Sequence, residues 1–166
     1  MRTLRVQKID FNDGKKVSEL KEIIQKILYD RNYYYILSTD DLPTFQTIDR
    51  TPPRKKGWYI ILNDGISLYS GKAKNLANRI NKQADGIYDS TRSSDNKRNF
   101  IQKFIGKHII KKPYVCVITE KKLCDKLGIR VLPDLDFNSI EKIIDIFRSE
   151  FKYLSYQEVP QIEPMF

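Results

Sequence analysis

The stretch that most constrains the fold is residues 57–80, "GWYIILNDGISLYSGKAKNLANRI". Two short runs of strand-forming residues, GWYIIL and ISLYSG, flank Asn63-Asp64-Gly65. Residues that tolerate positive φ between two such runs predict a β-hairpin. After Gly71, "KAKNLANRINKQ" is rich in helix formers with apolar Leu76 and Ile80, so a helix is expected from near Lys74. Side chains alternate along a strand, which sends Gly57 and Tyr59 to one face and Trp58 and Ile60 to the other. With the strands paired, the hydroxyls of Tyr59 and Tyr69 can meet on one side of the sheet. Arg79, placed two turns into the helix, projects over that side. Taken singly, a strand tyrosine usually packs and a helix arginine is usually solvated. Only the constellation points to chemistry.

The rest of the chain supplies partners for this ββα unit. "VSELKEIIQKILY" (17–29) has apolar residues at 17, 20, 24, 27 and 28, the spacing of an amphipathic helix. "NYYYILS" (32–38) reads as a strand and 39–56, with three prolines, as a loop. Residues 85–99 are a polar loop, and 99–112 carry Phe100, Phe104 and Ile105 on one helical face. "PYVCVIT" (113–119) is apolar throughout and is expected to be the central, most buried strand. A short helix at 120–127 and a loop with Pro133 follow. The last helix is expected to start at Asn138, with Glu141 completing a capping box. Its apolar stripe is Ile140, Ile144, Phe147, Phe151 and Leu154, and an irregular tail runs from Glu158. The order gives an α+β domain around a small sheet.

At 166 residues the chain is long enough for one domain with a core of its own. No apolar run approaches the roughly 18–20 residues that span a bilayer, and MRTLRVQKID lacks the apolar stretch of a secretory signal. Cys116 and Cys124 have neither metal-ligand nor disulfide spacing and read as reduced packing residues, so a cytoplasmic location is expected. The single histidine, His108, excludes a Cys/His zinc cluster and reads as a helix-surface residue. Thirty Lys+Arg against twenty-one Asp+Glu leave a net charge of +9, which favours an anionic partner such as nucleic acid. The basic clusters at 50–56, 72–82, 95–99 and 107–112 are placed to line a phosphate track.

Residues 57–80 resemble the signature of the GIY-YIG nuclease family. Gly57-Trp58-Tyr59 stands for its first element and Tyr69-Ser70-Gly71 for its second. "YSGKAKNLANRI" is similar to the excision-repair branch, whose pattern Y-x-G-K-A-K-x-L-x-x-R places Lys72, Lys74, Leu76 and Arg79 as here. Trp58 and Ser70 depart from isoleucine at middle positions, whose side chains should point away from the catalytic face. The literal string Gly86-Ile87-Tyr88 lies in the polar loop without a partner and is set aside.

The resemblance implies a three-stranded, mostly antiparallel sheet flanked by helices. The core would span 57–157, with an N-terminal helical extension at 1–56, an insertion at 120–138 and a tail at 158–166. The extension would either bind DNA or mediate dimerisation, or simply pad the core. By resemblance, Tyr59 is the general base or activates water, Tyr69 supports it, and Arg79 clamps the scissile phosphate. Lys72, as a neighbouring cation, would favour the phenolate of Tyr59. One glutamate on the last core helix would hold Mg²⁺ or Mn²⁺, which stabilises the leaving oxygen. Glu150 and Glu141 are the candidates, with Glu150 preferred because a capping box already explains Glu141. The family asparagine beyond the glutamate is missing, with Gln157 or Gln161 in its place, and Gln83 stands where the family histidine usually falls. Lys55, Lys56, Lys74 and Lys82 are the expected DNA contacts. The implied protein is a divalent-metal-dependent endonuclease on double-stranded DNA, restriction-like, sequence-specific and dimeric. The alternatives are a structure-specific, repair or homing-type nuclease and a catalytically silent nucleic-acid-binding module.

Overall fold

A computed structural model describes residues 12–37, 52–63, 65–83 and 113–159. The expected helix at 99–112 with His108, the polar loop with Gly86-Ile87-Tyr88, and the tail beyond 159 lie outside the described residues. The elements are α1 (Gly14–Leu28), β1 (Tyr34–Ile36), β2 (Gly57–Asn63) and β3 (Ile66–Ala73). They are followed by α2 (76–83), β4 (Pro113–Thr119), α3 (Glu120–Leu127) and α4 (Asp134–Phe147).

The α+β class expected from the sequence holds, with one strand more than the three that the resemblance implied. The sheet order is β1-β4-β2-β3, and every neighbouring pair is antiparallel. The added strand is β1, which pairs Tyr34 with Cys116 and Ile36 with Tyr114. The described part of the N-terminal extension is therefore built into the domain, as an edge strand and as α1 beneath it. As expected, β4 is interior and buried at every position. An all-apolar strand fits a sheet covered on both faces.

Alternation along β2 and β4 divides the core in two. Trp58, Ile60, Leu62, Tyr114, Cys116 and Ile118 pack against α1, α3 and α4. Tyr59, Ile61, Val115 and Val117 pack on the opposite face with Leu76 and Ile80 of α2. Both cysteines are free and buried. No helix among the described residues is long and apolar enough to cross a membrane.

The helix ends show why the elements fall where they do. Asp13 accepts a hydrogen bond from the Lys15 amide at 3.0 Å and starts α1. Thr119 Oγ1 does the same for Lys122 at 3.2 Å and starts α3. The start of α2 is capped by Asn75, whose Oδ1 accepts from the Asn78 amide. The carbonyls of Lys55 and Pro53 take the amides of Leu76 and Ala77. The expected capping box at Asn138 and Glu141 does not form. Pro133 fixes the backbone one residue before Asp134, and two acidic residues occupy the first turn, so α4 begins four residues earlier. Asn138 and Glu141 are thus interior helix positions with free use of their side chains. The helix also stops earlier than its apolar stripe implied, at Phe147. Beyond it, Tyr114 Oη donates to the Leu154 carbonyl and the Leu154 amide donates to Tyr34 Oη, which straps this segment to the sheet.

Candidate active site

The site forms along β3, which is the edge strand among the described residues, where the two faces of the sheet meet. Asn63 pairs with Ile66 across a two-residue connection. That register, continued, would oppose Tyr59 to Ser70 and put Tyr69 on the other face. A bulge intervenes. Leu62 pairs with Ser67 and Ile61 with Tyr69, so Leu68 is the extra residue and Tyr59 comes to face Gly71. Tyr59 and Tyr69 then share one face, with ring centroids 6.2 Å apart and planes at 40°.

The glycines of the two tripeptides are explained by what lies against them. A β-carbon on Gly71 would stand 2.6 Å from Tyr59 Oη, so only glycine lets that ring lie across β3. A β-carbon on Gly57 would stand 2.3 Å from the Ile118 carbonyl oxygen. Trp58 and Ser70 point to the α4 face as expected: the Trp58 indole donates to the Phe137 carbonyl at 3.2 Å, and Ser70 donates to Asp145 at 2.9 Å.

Tyr59 is only 2% exposed, and Gln83 Nε2 donates to its hydroxyl at 3.1 Å. Burial pushes the phenol well above the usual tyrosine value, and the neighbouring Tyr69 raises it further. The Gln83 hydrogen bond and the Arg79 guanidinium pull it down, while the charge of Glu141 pushes it up. Within the protein alone Tyr59 is therefore a neutral phenol. Its conversion to a base requires positive charge near Glu141 or Arg79. Arg79 sits in the first turn of α2 rather than two turns in, and its side chain is exposed.

Two expectations about the charged residues are corrected. Lys72 does not support the phenol. It alternates to the α4 face, where its ammonium donates to Asn138 Oδ1 and stands 3.8 Å from Glu141 Oε2. The cationic help for Tyr59 comes from Arg79. Glu150, the preferred metal ligand, is not brought to the site. Because α4 ends at Phe147, Glu150 turns toward α1 and pairs with Lys21. Glu141 is the carboxylate that the fold brings within electrostatic reach of Tyr59.

Two cavities line the groove between β3 and α4. The larger, about 550 Å³, is walled by Lys72, Lys74, Asn78, Arg79, Lys82 and Asn138, among others. The smaller, about 380 Å³, is walled by Tyr69, Ser70, Glu141, Asp145 and Arg148, among others. Of the expected DNA contacts, Lys56, Lys74 and Lys82 line the larger cavity and Lys55 is exposed. Lys56 is held by neighbours at that wall, 3.3 Å from Glu120, 3.5 Å from Asp134 and over the Phe137 ring. Its role is to tie the starts of α3 and α4 to the sheet. Gln83 and Asp145 have no catalytic or binding part in the sequence pattern, and Asn138 is expected there only as a helix cap. Gln83 alone carried a signal, since it stands where the family histidine usually falls.

Among the described residues no three carboxylate, imidazole or thiol groups gather as a metal cage. Magnesium needs none, since it keeps most of its waters and binds through one or two carboxylates. Glu141 is partly exposed at the cavity wall and fits that mode.

Among solved structures, the chain is similar to the GIY-YIG N-terminal endonuclease domain of UvrC from Thermotoga maritima. A point mutant bound to its catalytic divalent cation is 19% identical over 81% of this chain and 98% of that domain, with a TM-score of 0.31. The magnesium-bound form is 20% identical over 80% of this chain and 97% of that domain, with a TM-score of 0.30. No family model matches the chain. No curated protein matches it. What the site can do follows from its own residues.

Proposed function

We propose that the protein is a GIY-YIG-type, divalent-metal-dependent endodeoxyribonuclease acting on double-stranded DNA. The observation that carries this reading is the convergence at the β3 edge of Tyr59 over Gly71, Arg79 beside it, and Glu141 from α4. Phosphodiester hydrolysis needs an activated water, charge to meet the phosphate oxygens, and relief for the leaving oxygen. Arg79 offers a planar, permanent cation for the phosphate oxygens. Tyr59 and Tyr69 form the wall on which the attacking water is oriented. Gln83, donating to the Tyr59 hydroxyl, favours its ionised form. Glu141 would hold the cation, Mg²⁺ or Mn²⁺, whose chemistry is to stabilise charge on the leaving oxygen.

One such site cuts one strand at a time, so a double-strand break takes a second copy of the chain or a second turnover. The test is incubation of a plasmid and phage DNA panel with Mg²⁺, with EDTA and Arg79→Ala as controls. Discrete fragments that disappear in both controls support a sequence-specific nuclease, and nicked circles support a structure-specific one. Salt-sensitive binding without any cutting would overturn the enzymatic reading in favour of a binding module.

A further inference from the structure

The larger cavity has more positive charge than the described residues neutralise. Lys74, Arg79 and Lys82 converge on it, and none of them forms an ion pair among the described residues. The one carboxylate in its lining, Asp134, is engaged by Lys56. Cations gathered in a concave wall attract an anion, and lysine with arginine suits a phosphate. Lys72 stands at the divide. It lines the cationic cavity, yet its ammonium rests between Asn138 and Glu141, and Glu141 lines the neighbouring cavity.

We propose that the cationic cavity is a subsite for a DNA phosphate beside the one that is cut, and that Lys72 couples its filling to cation binding at Glu141. This rests on the nuclease reading in so far as Glu141 is the cation ligand. Lys72 and a divalent cation compete for one carboxylate. When the cation arrives, Lys72 is displaced toward a cavity already crowded with positive charge, and a phosphate there is what accommodates it. Cation and DNA therefore favour each other's binding, and the coupling is reciprocal.

The test is a titration with Mn²⁺, following the free ion by electron paramagnetic resonance in the absence of DNA. Lys72→Met and Lys72→Gln should each bind Mn²⁺ about tenfold more tightly than the parent, within the range usual for coupled sites. Lys82→Met, which alters the cavity without touching Glu141, should leave Mn²⁺ affinity unchanged and weaken binding of a labelled short DNA duplex. In the parent, Ca²⁺ should tighten that duplex more than it does in Lys72→Met. Unchanged or weaker Mn²⁺ binding in both Lys72 variants overturns the coupling. Mn²⁺ binding that is lost in Glu141→Gln but indifferent to Lys72 defeats the coupling alone. Mn²⁺ binding that is indifferent to Glu141→Gln defeats the cation site on which both readings depend.

Discussion

A β-carbon at residue 71 would lie 2.6 Å from Tyr59 Oη, and that contact ties Gly71 to the tyrosine on which the proposed nuclease reading rests. Gly71→Ala must move the Tyr59 ring off its seat. Cleavage is expected to fall by about a hundredfold, the scale of a one-ångström misplacement. The loss of stability is expected to be about 1–3 kcal/mol, as for overpacking generally. Initial rates and urea unfolding check both, and a folded variant with full activity would contradict the assignment. The second residue-scale expectation concerns pH. Burial holds Tyr59 protonated well past the ordinary tyrosine range. If its ionised form is used, that form is scarce at neutral pH and grows about tenfold with each pH unit. Initial rates in excess Mg²⁺ should then climb from pH 6 to pH 9 with no plateau, and Tyr59→Phe should abolish the climb. A flat profile would remove Tyr59 as the base.

At the scale of elements, local signals and long-range packing decided different things. The hairpin was legible because turn residues and alternation act over a few positions, and the resemblance carried by its residues pointed to Tyr59, Tyr69 and Arg79. The bulge at Leu68 was not legible. It follows from how β3 docks on β2, and no residue type marks it. Asn138-x-x-Glu141 is a sound capping signature, but Pro133 with Asp134 and Asp136 supplies an earlier start, and tertiary fit chose that one. The earlier start releases Glu141 from a capping role, and the end of the helix at Phe147 takes Glu150 away from the site. The orientation of Lys72 was within reach of the sequence, since it lies one position from Gly71 and so must face away from Tyr59. The two caps make a direct comparison. Thr119→Ala should cost about 1 kcal/mol through loss of an N-cap, whereas Asn138→Ala should cost well under about 0.5 kcal/mol because it caps nothing. Denaturant midpoints of the two variants measure the difference. A larger loss at Asn138 would restore the capping box.

Across the whole molecule, the packed core shields tyrosines whose ionisation opposes folding. Burial pushes Tyr34, Tyr59 and Tyr153 well above the usual value. Unfolded, each would ionise near pH 10. Stability drawn from keeping them neutral is therefore intact below about pH 10 and is lost as pH rises toward their folded values. An alkaline titration should show part of the tyrosinate absorbance appearing only together with the loss of circular dichroism. Complete ionisation of a still-folded protein would contradict the packing. The same arrangement makes β3 the edge strand among the described residues, lays Tyr59 across it from one face, and brings α4 up to it from the other. The most direct test of this arrangement is a side-by-side measurement of DNA cleavage by the parent, Glu141→Gln and Glu150→Gln under excess Mg²⁺. The expected result is a loss of at least about a hundredfold for Glu141→Gln, the scale of removing a preorganised charge from a reacting site, with Glu150→Gln close to the parent. Full activity in Glu141→Gln, or loss confined to Glu150→Gln, would contradict a site at the β3 edge.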